Sequence, residues 1–100
     1  MEIKTIKEAQ EFVKKFVHER NWETSEEDIL LHLMEELGEV SRNVLKRKDY
    51  GGNHTQDSKQ NMDEELADVF YLILKLANKT NVDLNLAFQN KMKENIKRFS

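Results

Sequence analysis

Apolar residues recur every three or four positions in four stretches of the chain, the period of helices that bury one face. The first helix should start at Thr5, because Thr5 with Glu8 makes a capping box, and Ile6, Ala9, Val13, Phe16 and Val17 then share a face. Asn21 and Trp22 fall in the connection that follows. Thr24 and Glu27 repeat the capping pattern ahead of Ile29, Leu30, Leu33, Leu37, Val40 and Val44, which predicts a second helix running to about Lys48. Tyr50-Gly51-Gly52-Asn53 reads as a turn, and the polar stretch from Gly51 to Gln60 as the one substantial loop.

The third helix is expected from about Asn61 to Asn78, with Met62, Leu66, Val69, Phe70, Ile73 and Ala77 as its stripe. Leu72, Leu74 and Leu76 make it apolar on more than one side, as a central or shared helix would be. Asp83 is a good N-cap for a fourth helix carrying Leu84, Phe88, Met92, Ile96 and Phe99. Short connections favour antiparallel neighbours, so the expected fold is all-α, a four-helix bundle. The apolar excess on the third helix predicts self-association, as a dimer at minimum and with a tetramer as the larger option.

A length of 100 residues has room for one domain, residues 1–100, with a modest core. The chain has no Pro, only three Gly, and no repeat or low-complexity tract. The absence of Cys excludes disulfides and thiolate zinc sites and suits a reducing cytoplasm. Met1 to Glu11 is charged throughout and lacks the apolar stretch of a signal peptide, and the longest apolar run, Val69 to Leu74, is far too short to span a membrane. With a net charge of -3 and no basic domain, duplex nucleic acid is not an expected partner.

Two groups of acids interrupt the apolar pattern. Glu35, Glu36 and Glu39 sit three and four apart on one flank of the second helix, and Glu65 and Asp68 sit three apart on the third. If these helices pack side by side, the acids face each other at the core edge. Two carboxylates ~5 Å apart at an effective dielectric near 20 repel by roughly 3 kcal/mol, so the cluster calls for a cation or for bound protons. All-oxygen donors point to a hard ion, Mg²⁺ with Mn²⁺ as a substitute. Gly38 between the acids costs about 1 kcal/mol relative to Ala in a helix, and its bare backbone would let another helix or a ligand approach. His32, one turn earlier, hints at a diiron bundle, but that fold wants two Glu-x-x-His motifs and the chain has none. His18 and His54 read as surface residues. The competing reading of the acids is a solvated face on a chain with 19 acidic residues.

Glu35-Glu36-x-x-Glu39 followed by Glu65-x-x-Asp68 resembles the signature of the all-alpha nucleoside triphosphate pyrophosphohydrolases, the MazG-like group. Its relatives include dCTP pyrophosphatases, dimeric dUTPases and phosphoribosyl-ATP pyrophosphatase. The wider context is similar too: Arg20-Asn21-Trp22, Glu65-Leu66-Ala67-Asp68-Val69-Phe70-Tyr71, and Lys91, Asn95 and Arg98. The resemblance implies Mg²⁺ ligation by Glu36, Glu39, Glu65 and Asp68, with Glu35 beside them as a supporting acid or the group that orients water. It implies hydrolysis of a nucleoside triphosphate, deoxy or non-standard ones included, to monophosphate and pyrophosphate, at a site built at subunit contacts.

Lys91, Asn95 and Arg98 share a face, either as phosphate or sugar contacts or as a solvated edge. Trp22, the only Trp, either stacks on a base or caps the core. Tyr71, one turn beyond Asp68, either lines the same cleft or is packed. The Trp22 context and Leu37-Gly38-Glu39 fit the MazG-like branch better than phosphoribosyl-ATP pyrophosphatase. The non-enzymatic alternative is a helical interaction module that binds nucleotide as a sensor, against which the intact set of five acids argues.

Overall fold

The computed structural model describes residues 1–47 and 56–100, with side chains placed for 1–47 and 62–100. The described residues form four helices: α1 (Ile6–Glu19), α2 (Glu26–Arg47), α3 (Gln56–Lys79) and α4 (Leu84–Arg98). No strand occurs among the described residues. No helix among them is long and apolar enough to cross a membrane.

Local chemistry sets most of the helix ends. Thr5 Oγ1 accepts from the Glu8 N–H at 3.0 Å, while the Glu8 carboxylate takes the Lys4 N–H at 3.2 Å, one residue earlier than in a standard capping box. Asp83 caps α4 by accepting from the Leu86 N–H at 3.0 Å. α2 begins one residue later than the capping pattern suggests. Ser25, not Thr24, accepts from the Asp28 N–H at 3.1 Å. α3 begins at Gln56, so 56–60, expected as loop, is helical; polar residues gave that turn no apolar period to reveal it. The expected turn at Gly51–Asn53, with Lys48 and His54, lies outside the described residues.

Two connections turn without Gly. Asn21 and Asn81 adopt φ 56 and φ 58, the left-handed region that Asn tolerates. The Trp22 N–H then reaches Val17 O at 3.0 Å, and the Val82 N–H reaches Ala77 O at 2.8 Å, the Schellman bonds that close α1 and α3.

α3 is the axis of the molecule. α2 and α1 each pack along it and make little contact with each other, and α4 joins through α1. Gln10 ties that corner, donating to Val82 O at 2.6 Å and accepting from the Leu84 N–H at 3.1 Å. Ala9, Val13 and Val17 of α1 and Leu74 of α3 form the core, with Ile6, Phe16, Tyr71 and Leu84 against it. Ile29 and Leu72 are the most deeply buried large side chains.

Much of the expected apolar stripe is not covered. On α3 the inward residues are Met62, Leu72, Leu74 and Ala77, whereas Leu66, Phe70 and Ile73 are exposed. On α2 Leu30, Leu37 and Val44 are exposed, and on α4 Phe88, Met92, Ile96 and Phe99 are too. The Cα radius of gyration is 16.2 Å, against ~13 Å for a compact domain of this length. A single chain thus leaves most of α4 beyond Leu84, and the outer flanks of α2 and α3, without apolar partners.

Candidate active site

α2 and α3 run antiparallel, and that pairing brings the two acidic groups together. Glu36 on α2 feels the charges of both Glu39 on its own helix and Asp68 on α3. One turn along, Asn43 Nδ2 donates to Glu65 Oε1 at 2.7 Å, which fixes the register at the other end of the cluster. The spacing of Glu36 and Glu39 with Glu65 and Asp68 therefore does what an i, i+3 pattern on two facing helices can do.

Glu36 is the innermost acid. Its side chain is 15% exposed, and its Oε2 is buried with no hydrogen-bond partner. Oε1 lies 3.5 Å from His32 Nε2. Burial pushes the Glu36 pKa above its ordinary value, the charges of Glu39 and Asp68 push it further, and His32 pulls it down. Glu35, Glu39 and Asp68 are exposed, and Glu65 is half-buried. Among the described residues no three His, Asp or Glu side chains converge as a finished metal cage. The acids border one another without closing on a common point.

Two residues of this site escape the sequence pattern. Asn43 is 6% exposed, the only buried polar residue among those described, and anchors Glu65. It sits four residues after Glu39, a polar position on the flank that carries the acids. His32, weighed only as a ligand, instead pairs with Glu36 across one helical turn. Gly38 is exposed, and a Cβ there would meet nothing within 4 Å, so no helix of the same chain uses the opening it leaves.

The expected nucleotide contacts divide into two groups. Trp22, Phe16 and Tyr71 form an aromatic cluster, Phe16 meeting Trp22 edge-on at 5.6 Å and Tyr71 at 6.3 Å. Arg20 lies over Phe16 at 3.8 Å. Tyr71 is packed and half-buried, and burial raises its pKa while Arg20 lowers it. Trp22 keeps half its surface open. Lys91, Asn95 and Arg98 stay on α4. Lys91 reaches Glu94 at 3.7 Å and Arg98 stacks on Phe99 at 5.1 Å. Among the described residues no hydrogen bond or ion pair joins these three to the acids, and α4 packs mainly on α1.

Residues 24–99 match the MazG nucleotide pyrophosphohydrolase domain family, a span that takes in all five acids and α4 and begins just after Trp22. Among solved structures, the Bacillus-conserved MazG protein, described as a nucleotide pyrophosphohydrolase, is similar at a TM-score of 0.74 and 30% identity, over 94% of this chain and 92% of that one. Curated protein sequences give no match.

Proposed function

The chain belongs to the MazG nucleotide pyrophosphohydrolase family, and from that premise we propose that it hydrolyses a nucleoside triphosphate to monophosphate and pyrophosphate with Mg²⁺ on Glu36, Glu39, Glu65 and Asp68. Cleavage of a phosphoanhydride bond is the chemistry of the family. The observation that carries the finer reading is Glu36, a half-buried carboxylate whose Oε2 is itself buried and unpartnered, set against two further acids. Such an atom is costly to bury unless something pairs with it. An all-oxygen donor set with excess negative charge suits a hard divalent cation. When bound, that cation neutralises phosphate charge and orients the scissile group.

The side chains then take distinct tasks. Asn43 holds Glu65 by its 2.7 Å hydrogen bond, and His32 braces Glu36. These neighbours fix the direction of the acids, as supporting groups do at metal sites. Glu35, next to Glu36 in sequence, serves as a supporting acid or as the group that orients the attacking water. Trp22 offers its open face to the base. Lys91, Asn95 and Arg98 bind phosphate and sugar, and because α4 stands apart from the acids of its own chain, a second copy delivers them. Residues 1–100 act as one such domain within a dimer or tetramer.

A panel of nucleoside triphosphates, with phosphoribosyl-ATP included, assayed with Mg²⁺, with Mn²⁺ and with chelator tests this reading. Hydrolysis should require the metal. Glu36→Gln, Glu39→Gln, Glu65→Gln and Asp68→Asn should each abolish turnover while leaving the helical circular dichroism intact. Near-normal turnover in two of these variants would contradict the ligand assignment, and metal-dependent binding of nucleotide without hydrolysis would favour a sensor.

A further inference from the structure

A cavity of about 560 Å³ opens between α1 and the start of α2, over the C-terminal half of α3. Its floor is apolar, made by Val13, Val17 and Ile29, all buried. Four lysines and two glutamates stand around it. Glu23 is engaged with His18 at 2.8 Å, and the lysines outnumber the glutamates, so the cavity is cationic on a protein of net charge -3. None of the five acids lines it. Lys75 is seven residues beyond Asp68, which places it on nearly the same face of α3 but about 10 Å further along the axis.

Lys75 is the distinctive member. It is half-buried, and no carboxylate lies within ion-pair distance of it among the described residues. Burial holds its pKa below the usual lysine range. An ammonium removed from water without a counter-charge is destabilising, and an anion beside it would relieve that cost. We propose that this cavity is a binding site for a small organic anion, its charged group on Lys75 and its apolar or planar body against Val13, Val17 and Ile29. The volume falls in the range of ~300–1,000 Å³ typical of small-molecule pockets. An inorganic ion would satisfy Lys75 but occupy only a small part of the cavity of about 560 Å³, which is why the ligand is organic. It would also bridge α1 and α2, which otherwise meet mainly through α3. The site is independent of the reading of the acids, and two ligand sources share its chemistry: a nucleoside monophosphate and an aliphatic carboxylate.

The test is a two-dimensional NMR titration of the full chain with adenosine monophosphate and, separately, with octanoate, in the presence of chelator so that no metal ion recruits phosphate to the acids. At least one probe should bind saturably at low millimolar concentration, shifting the amides of Val13, Val17, Ile29 and Lys79 rather than those of Glu36, Glu39 and Asp68. The probe that binds identifies the source. Lys75→Met should weaken it by about tenfold, equivalent to ~1.4 kcal/mol, and Glu36→Gln should leave it unchanged. Lys75→Met removes a partly buried charge and keeps the stem, so the fold should survive. Lys79→Gln, at an exposed position on the rim, should weaken binding a few-fold and serves as the second variant. Failure of both probes to bind, shifts confined to the acids, or unchanged affinity in Lys75→Met would overturn the proposal.

Discussion

At the scale of single residues, Glu36 concentrates the tension in the structure. It is half-buried, faces Glu39 and Asp68, and has one buried oxygen without a partner. Its pKa in the folded chain lies above the ordinary value of 4.5. In the metal-free protein the folded state therefore binds this proton more tightly than the unfolded chain does. That contribution to stability is fully present below pH 4.5 and is lost as pH rises through the folded pKa. Glu36→Gln removes the dependence. In chelator at neutral pH the variant should melt above the wild type, by several degrees if the effect is on the order of 1 kcal/mol, and the gap should close in acid. Added Mg²⁺ should raise the melting temperature of the wild type and not of the variant. Equal melting temperatures at neutral pH would mean that the Glu36 carboxylate is not strained.

At the scale of elements, the helix termini show what a sequence states by itself and what it leaves to packing. Thr5 and Asp83 were legible because capping is local: a short polar side chain and the N–H groups that follow suffice. At α2 two adjacent residues both fit the pattern, and only the three-dimensional turn selects Ser25 over Thr24. Ser25→Ala should therefore cost about 1 kcal/mol in a urea melt and Thr24→Ala much less. The reverse order would place the cap at Thr24. The first turn of α3 was hidden because its residues are polar. Its inward face was misjudged because a helix apolar on several sides does not say which side its neighbours choose. Leu72 and Leu74 face in, while Phe70 and Ile73 do not. The site was read in the same uneven way. Acid spacing announced that Glu36 and Asp68 could meet. Nothing marked Asn43, since a lone polar residue on such a flank reads as solvated until the facing helix is known, and His32 stood out only as a possible ligand, not as the partner of Glu36.

At the scale of the molecule, the open arrangement and the exposed apolar faces of α2, α3 and α4 belong to one argument. Phe99 and Ile96 are 75% and 70% exposed, and contiguous apolar surface of this extent is uncommon on monomers. Light scattering at working concentration should give at least twice the 11.9 kDa chain mass, whereas a value near 12 kDa would leave α4 without the second copy that carries Lys91, Asn95 and Arg98 to the acids. On the proposed reading, assembly of that kind would bring together both halves of the site, the acids for the metal-bound phosphate and the polar side chains of α4 for the remaining phosphates. Stepwise removal of a terminal phosphate commonly relies on a Gly-rich phosphate-cradling loop, and this sequence has none. The most direct measurement is the product distribution at early times, by chromatography with a pyrophosphate assay, for the nucleoside triphosphate hydrolysed fastest with Mg²⁺. Monophosphate and pyrophosphate should appear in equal amounts with no diphosphate, and early accumulation of diphosphate with free orthophosphate would contradict the account.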